Sequence, residues 1–162
     1  MSPIQPEPSS SLIRTLPVFR SGSTGQSGSR NALPSLQRAG VQPQEVDYIN
    51  AHGTGAAKND SVEAGIIKRA FGEDARRIPV SSSKSMLGHM IGASAAIELI
   101  IAVLAIHNGV VPPTINLSEP DPECDLDYVV DGARRMPLQT VLSTSFGFGS
   151  RNAALVVRRI KG

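Results

Sequence analysis

Two histidines and a lysine sit where their types and spacing could do chemistry. His52 lies in Asn50-Ala51-His52-Gly53-Thr54-Gly55, a glycine-bearing turn just after the apolar run Val46-Asp47-Tyr48-Ile49. Lys84 and His89 stand five residues apart in the Ser/Gly-rich stretch that opens at Ser81, directly ahead of a long small-residue and aliphatic run. That run reads as one buried helix from about Gly88 to His107, so the polar groups gather at its entrance. A helix N-terminus offers unpaired N–H groups and a partial positive charge. A histidine placed there is biased towards its neutral form and towards electron-rich oxygen, which suits the holding of a carbonyl or an oxyanion.

Length and composition bound what surrounds these groups. The 162 residues are enough for one domain with a real core or one half of a larger two-lobed fold. Sixteen Lys+Arg against fourteen Asp+Glu leave a formal charge of +2, and aromatics make up only 4%, which argues against a nucleic-acid partner. The single cysteine, Cys124, excludes an internal disulfide framework and a Cys-based zinc site, and a reducing compartment such as the cytoplasm is expected. No basic segment followed by an apolar one marks the N-terminus for export. Met90 to Ile106 is the only membrane candidate. It is short for a span and carries Glu98 near its middle, a charge costing about 2.5–3.5 kcal/mol at the centre of a bilayer helix, so a globular helix is expected and no membrane.

Taken in order, residues 1–30 are rich in Ser, Gly and Pro and are expected to be a disordered or foreign leader, with the folded domain spanning 31–162. Asn31 to Ala39 reads as a short amphipathic helix closed by Gly40, and Val46 to Asn50 as a strand. A helix capped at Asn59 or Asp60, with Glu63 completing a capping box, runs to a stop at Gly72. Ile78 to Ser81 is a strand delivering the chain to Lys84. Gly92, Ala93, Ala95, Ala96 and Ala102 allow close backbone approach, so the long helix is expected to be central and covered on most sides. Val110-Val111 and Leu126 to Val130 are short extended pieces, and Val141 to Ser145 and Ala153 to Arg159 form a closing hairpin around Phe146 to Asn152. Helices alternating with short β-branched strands give α/β with a mixed sheet. The Gly-rich turn is no dinucleotide fingerprint, because no helix with an acidic partner follows it.

Three segments set together, Asn50 to Gly55, Ser83 to His89 and Ser145 to Gly149, resemble in order and spacing the C-terminal half of the elongating β-ketoacyl-acyl carrier protein synthases, which have a thiolase-like fold. Val111 to Asn116 and Cys124 to Tyr128 are similar to that family too, and the resemblance runs from about Asn31 to Ile160. It implies a mixed sheet packed on a central buried helix, and part in the decarboxylative condensation of malonyl-acyl carrier protein with an acyl thioester in fatty acid or polyketide synthesis. By the resemblance His52 and His89 bind the malonyl thioester carbonyl, and Lys84 is the active-site lysine with Glu98 its partner. Such an ion pair accounts for a carboxylate surviving in so apolar a helix. Thr54 contacts the pantetheine arm, Phe146 belongs to the same substrate-binding turn, and Phe148 gates the acyl pocket. Asn50, Glu98 and Ser143 fall where some relatives hold a structural monovalent cation; no other cofactor or metal is implied.

The departures are equally informative. The family's nucleophilic cysteine belongs to its N-terminal half, and Cys124, in an acidic Pro-rich loop, has no basic neighbour or helix start to lower its pKa. Ala56 stands where relatives carry a second threonine, and Ser150-Arg151 replaces the usual Gly-Thr. The expectation is therefore a C-terminal lobe, inactive alone, whose partners are an acyl carrier protein and a cysteine-bearing N-terminal lobe or another ketosynthase. The alternatives are a non-catalytic partner of the chain-length-factor kind and a truncated remnant. A thiolase is disfavoured because the last Gly-rich turn lacks a cysteine, and the initiating condensing enzymes because they pair a histidine with an asparagine. Lys68, Arg69, Arg76 and Arg77 could meet an acidic carrier protein, but a solvated helix end is the simpler account of them.

Overall fold

Side-chain alternation along three strands decides the architecture. In the computed structural model, which describes residues 13–16, 29–56, 58–147 and 151–160, strand β2 (Tyr48–Asn50) sends Tyr48 to one apolar cluster and Ile49 to the other. Strand β7 (Thr140–Gly147) divides Val141 from Leu142 in the same way, and β8 (Arg151–Arg159) divides Val157 from Val156. A strand apolar on both faces needs helices on both faces. Helices α1 (Ser29–Ala39) and α2 (Asn59–Phe71) cover one side through Leu36, Ile67 and Phe71. Helix α4 (Ser94–Asn108) covers the other through Ala102, Ala105 and Ile106.

The main sheet has six strands in the order β1-β8-β7-β2-β3-β5, where β1 is Ile13–Leu16, β3 is Pro79–Ser81 and β5 is Asp127–Tyr128. Strands β7, β2, β3 and β5 run parallel, while β8 is antiparallel to β7 and β1 antiparallel to β8. This is the mixed sheet expected. A separate antiparallel pair joins β4 (Val110–Val111) to β6 (Arg134–Arg135). Within the 1–30 stretch, Ile13–Leu16 forms the edge strand opposite Val156 to Arg159 and Ser29 opens α1; the rest of that stretch lies outside the described residues, as do Phe148 and Ser150.

The long helix differs from its expectation in two ways. It starts later: α3 (Lys84–Leu87) ends at Gly88, a 3-10 turn covers Ile91–Ala93, and α4 begins only at Ser94. The cause is Gly88, whose φ of +79° turns the chain before His89. Nor is it covered on most sides. Ser94, Glu98, Ala102, Ala105 and Ile106 are buried against the sheet, while Ala95, Ala96, Ile100 and Leu104 face outward. Ile91–Asn108 is long and apolar enough to cross a membrane, yet the carboxylate at its centre is turned inward and ion-paired with Lys84.

Candidate active site

Strands β2, β3 and β7 are parallel, so the segments leaving their C-terminal ends meet at one edge of the sheet, the usual place for a site in such a fold. His52 follows β2, Lys84 follows β3, and Phe146 stands near the end of β7. The topology thus joins three of the segments singled out in the sequence.

The His52 ring is buried and meets two others edge-on. Its centroid is 5.4 Å from that of His89, with planes at 86°, and 5.6 Å from that of Phe146, at 67°. Ile91 N–H donates to His89 Nδ1 at 3.1 Å, which leaves the proton of the neutral ring on Nε2. To make that bond Ile91 takes φ +49°, a left-handed conformation that a β-branched residue rarely adopts, and its side chain is 84% exposed, so packing does not explain it. Ser94 Oγ lies 3.3 Å from the same nitrogen. His52 Nδ1 is buried without a hydrogen-bond partner among the described residues.

Lys84 and Glu98 form a buried ion pair, with side chains 5% and 2% exposed, as expected. Ser145 Oγ donates to the second carboxylate oxygen at 3.5 Å. A cavity of about 480 Å³ lies beside this group, its wall including Thr54, Lys84, His89, Cys124 and Tyr128. Thr54 is half-buried there, in reach of whatever enters. Burial, Lys84 and His89 together push the His52 imidazole down from 6.5 to about 4. It is thus neutral at neutral pH.

Sequence reasoning missed what holds His52. Glu63 does not close a capping box: the residue before α2 is Lys58, which makes no side-chain cap bond, and Asp60 Oδ2 accepts from Gly55 N–H at 3.1 Å. Glu63 instead reaches back under the loop. Its Oε1 accepts from His52 N–H (2.9 Å) and from the Thr144 hydroxyl (2.7 Å), and its Oε2 accepts from Gly53 N–H (2.9 Å). Burial raises the Glu63 carboxyl against the pull of these three donors. The available signal was the polar run Ser143-Thr144-Ser145 in an otherwise apolar strand. The basic residues are partly solvated and also paired: Lys68 on α2 and Arg76 just after it both bond Asp125 and so strap the loop around Cys124, while Arg77 pairs locally with Asp74.

Two expected outcomes follow from this geometry. A Cβ at Gly53, where φ is +37°, would sit 2.5 Å from Ser82 Cβ, and Ser82 Oγ already donates to Gly53 O at 2.7 Å. Gly53→Ala should therefore destabilise the fold by about 1–3 kcal/mol in urea unfolding; an unchanged midpoint would show that the loop has room. The second outcome concerns pH. Between 6.5 and about 4 the unfolded chain binds a proton at His52 and the folded chain does not, so stability falls as pH drops through that window. This term amounts to no more than about 3 kcal/mol. The raised Glu63 acts in the opposite sense above 4.5, so the measurement is the NMR titration of the His52 ring itself, expected to give a midpoint near 4.

Comparison with known proteins points the same way. Residues 20–118 match the family model described as the β-ketoacyl synthase C-terminal domain. The chain is 54% identical over 126 residues to 3-oxoacyl-[acyl-carrier-protein] synthase 2 of Coxiella burnetii, covering 78% of this chain and 30% of that one. Among solved structures, the ishigamide ketosynthase/chain length factor superposes with a TM-score of 0.85 at 35% identity, covering 91% of this chain and 38% of the other. A type II PKS acyl-carrier protein in complex with its ketosynthase gives 0.82 at 36% identity, covering 89% and 37%. The chain thus spans roughly a third of the length of these relatives, between 30% and 38%.

Proposed function

The chain belongs to the β-ketoacyl synthases through their C-terminal domain, and from that premise we propose that it supplies the malonyl side of a decarboxylative Claisen condensation in fatty acid or polyketide synthesis. The observation that carries this reading is the edge-on pair of His52 and His89 beside the Lys84–Glu98 ion pair, with His89 and Lys84 in the wall of a cavity. The cavity takes the malonyl thioester of an acyl carrier protein, with its pantetheine arm along Thr54. The bond from the malonyl C2 to its carboxylate breaks, carbon dioxide leaves, and the electron pair moves onto the thioester oxygen. Two imidazole N–H donors stabilise that enolate most strongly where water is excluded. The enolate carbon then attacks an acyl thioester carbonyl, and the thiolate that carried the acyl group leaves.

Cys124 is unfit to carry that acyl group. Burial and the nearby Asp121 raise its thiol, so it is a poorer thiolate than a free cysteine. The acyl-bearing cysteine comes instead from outside these 162 residues, in the same polypeptide or in a ketosynthase partner. The cytoplasm, where acyl carrier proteins and free thiols coexist, fits this chemistry. A structural monovalent cation held by Asn50, Glu98 and Ser143 belongs to the same reading. Asn50 and Ser143 are buried register partners on β2 and β7, and the Asn50 oxygen that such an ion would take accepts from Ser83 Oγ at 3.5 Å. With one carboxylate already facing Lys84, the donor set suits a weakly held monovalent ion rather than a divalent one, and the ion would tie strand ends together without entering the reaction.

The superposition on a ketosynthase/chain length factor structure supports a second reading, a non-catalytic partner that binds a carrier protein or another ketosynthase. Release of labelled carbon dioxide from malonyl-acyl carrier protein separates the two. The folded chain, alone or with a cysteine-bearing ketosynthase lobe added, is expected to release it. Absence of release in both series would leave the binding partner.

A further inference from the structure

A serine at the start of a helix ordinarily spends its hydroxyl on the helix itself, accepting from one of the first free N–H groups. Helix α4 does not use Ser94 in that way. Ala93 stands at its cap and makes no side-chain bond, and Ser94 is its first residue, buried against the sheet. The Ser94 hydroxyl is spent instead on the His89 ring, with Oγ 3.3 Å from Nδ1. Which of the two donates is decided by the backbone. Ile91 N–H can only donate, so Nδ1 is an acceptor, the proton of the neutral ring sits on Nε2, and the hydroxyl, free to turn either way, donates too.

The same serine closes the circuit through the main chain. Ser94 N–H donates to Ile91 O while Ile91 N–H donates to His89 Nδ1, so Ile91 is gripped on both sides, and that grip keeps it left-handed at φ +49°. The two bonds to Nδ1 are not equivalent. The Ile91 bond is exposed, where water competes for it, whereas the Ser94 bond approaches from the buried face of α4. We propose that Ser94 is a positioning residue for His89: its hydroxyl pins Nδ1 to the first turn of α4 and so holds the ring with Nε2 protonated and presented to the reacting oxygen. The consequence for catalysis rests on the malonyl-side reading of His89; the geometry does not. One turn further along the same buried face, Glu98 takes the Lys84 ammonium. Helix α4 thus fixes the imidazole and the ammonium relative to one another with two side chains four residues apart. A serine that merely satisfied its own hydroxyl would leave the ring where it is when truncated, because Ile91 would still hold it.

Long-range nitrogen–proton NMR correlations of the full chain read the tautomer of each ring directly, and with three histidines the His89 signals are assigned by their loss in His89→Gln. At about pH 8, above the ordinary imidazole range, the parent is expected to show His89 protonated at Nε2 alone. Ser94→Ala, and Ser94→Cys with its far weaker donor, should admit the Nδ1-protonated form, the two nitrogen signals moving towards each other, while Ser94→Thr should keep the parental pattern. In carbon dioxide release from malonyl-acyl carrier protein, Ser94→Ala is expected to lose about tenfold in kcat with KM unchanged, and Ser94→Thr to recover it. A parental ring pattern in both Ser94→Ala and Ser94→Cys overturns the proposal, whatever happens to release. So does a folded Ser94→Thr chain that follows Ser94→Ala. A parent that releases no carbon dioxide sinks the malonyl reading instead, and the ring pattern alone then decides the role of Ser94.

Discussion

His89→Ala is expected to lower carbon dioxide release from malonyl-acyl carrier protein by about 10²–10³-fold, the usual effect of removing one oxyanion donor. The argument rests on where the donor points. Ile91 N–H holds Nδ1, so the ring presents Nε2 to the cavity without any rearrangement during reaction. Because the bond to oxygen strengthens as negative charge develops, the loss should fall on kcat with little change in KM. Thr54→Ala, which trims a contact present equally before and during the reaction, should show the reverse pattern. His52→Ala is expected to match His89→Ala, and the double variant to be little worse than either, since one remaining donor cannot localise the oxygen that two of them hold. Full activity in His89→Ala would remove the catalytic reading and leave the binding partner.

How far the sequence could be read depended on whether a residue's partners were local. The turn after β2 and the Lys84 to His89 stretch were legible because Gly and Ser cluster there and an apolar run follows. The strands at Val46 to Asn50 and Val141 to Ser145 were legible too, although their burial on both sides, through Tyr48 and Val141 on one face and Ile49 and Leu142 on the other, emerges only from the fold. Glu63 was misread because its spacing from Asp60 satisfies a local rule, whereas its real partners lie 10, 11 and 81 residues away at Gly53, His52 and Thr144. Composition also misled at α4. Alanine and isoleucine on every side imply full burial, but composition does not say which chain does the burying, and among the described residues only the sheet does so. Lys68 and Arg76, read as part of a solvated helix end, also pair with Asp125 far along the chain, which no spacing rule reveals.

Lys84→Met should destabilise the protein by about 3–5 kcal/mol, because it leaves the Glu98 carboxylate buried with no cation beside it. Pairing it with Glu98→Leu removes the orphaned charge, and the double variant should recover most of the loss in urea unfolding, since apolar residues of similar volume often replace a buried ion pair with little penalty. A single variant within about 0.5 kcal/mol of the parent would mean that water reaches Glu98 and solvates its carboxylate. The double variant also separates structure from chemistry. Lys84 is one of the groups holding the His52 imidazole down near 4, after burial and ahead of His89. With the ammonium gone, the NMR midpoint of His52 should rise towards 6.5 even though stability has returned. If carbon dioxide release then stays low in the restored fold, the lysine acts through its field on the site; if release recovers with stability, the ion pair serves only to let α4 lie against the sheet.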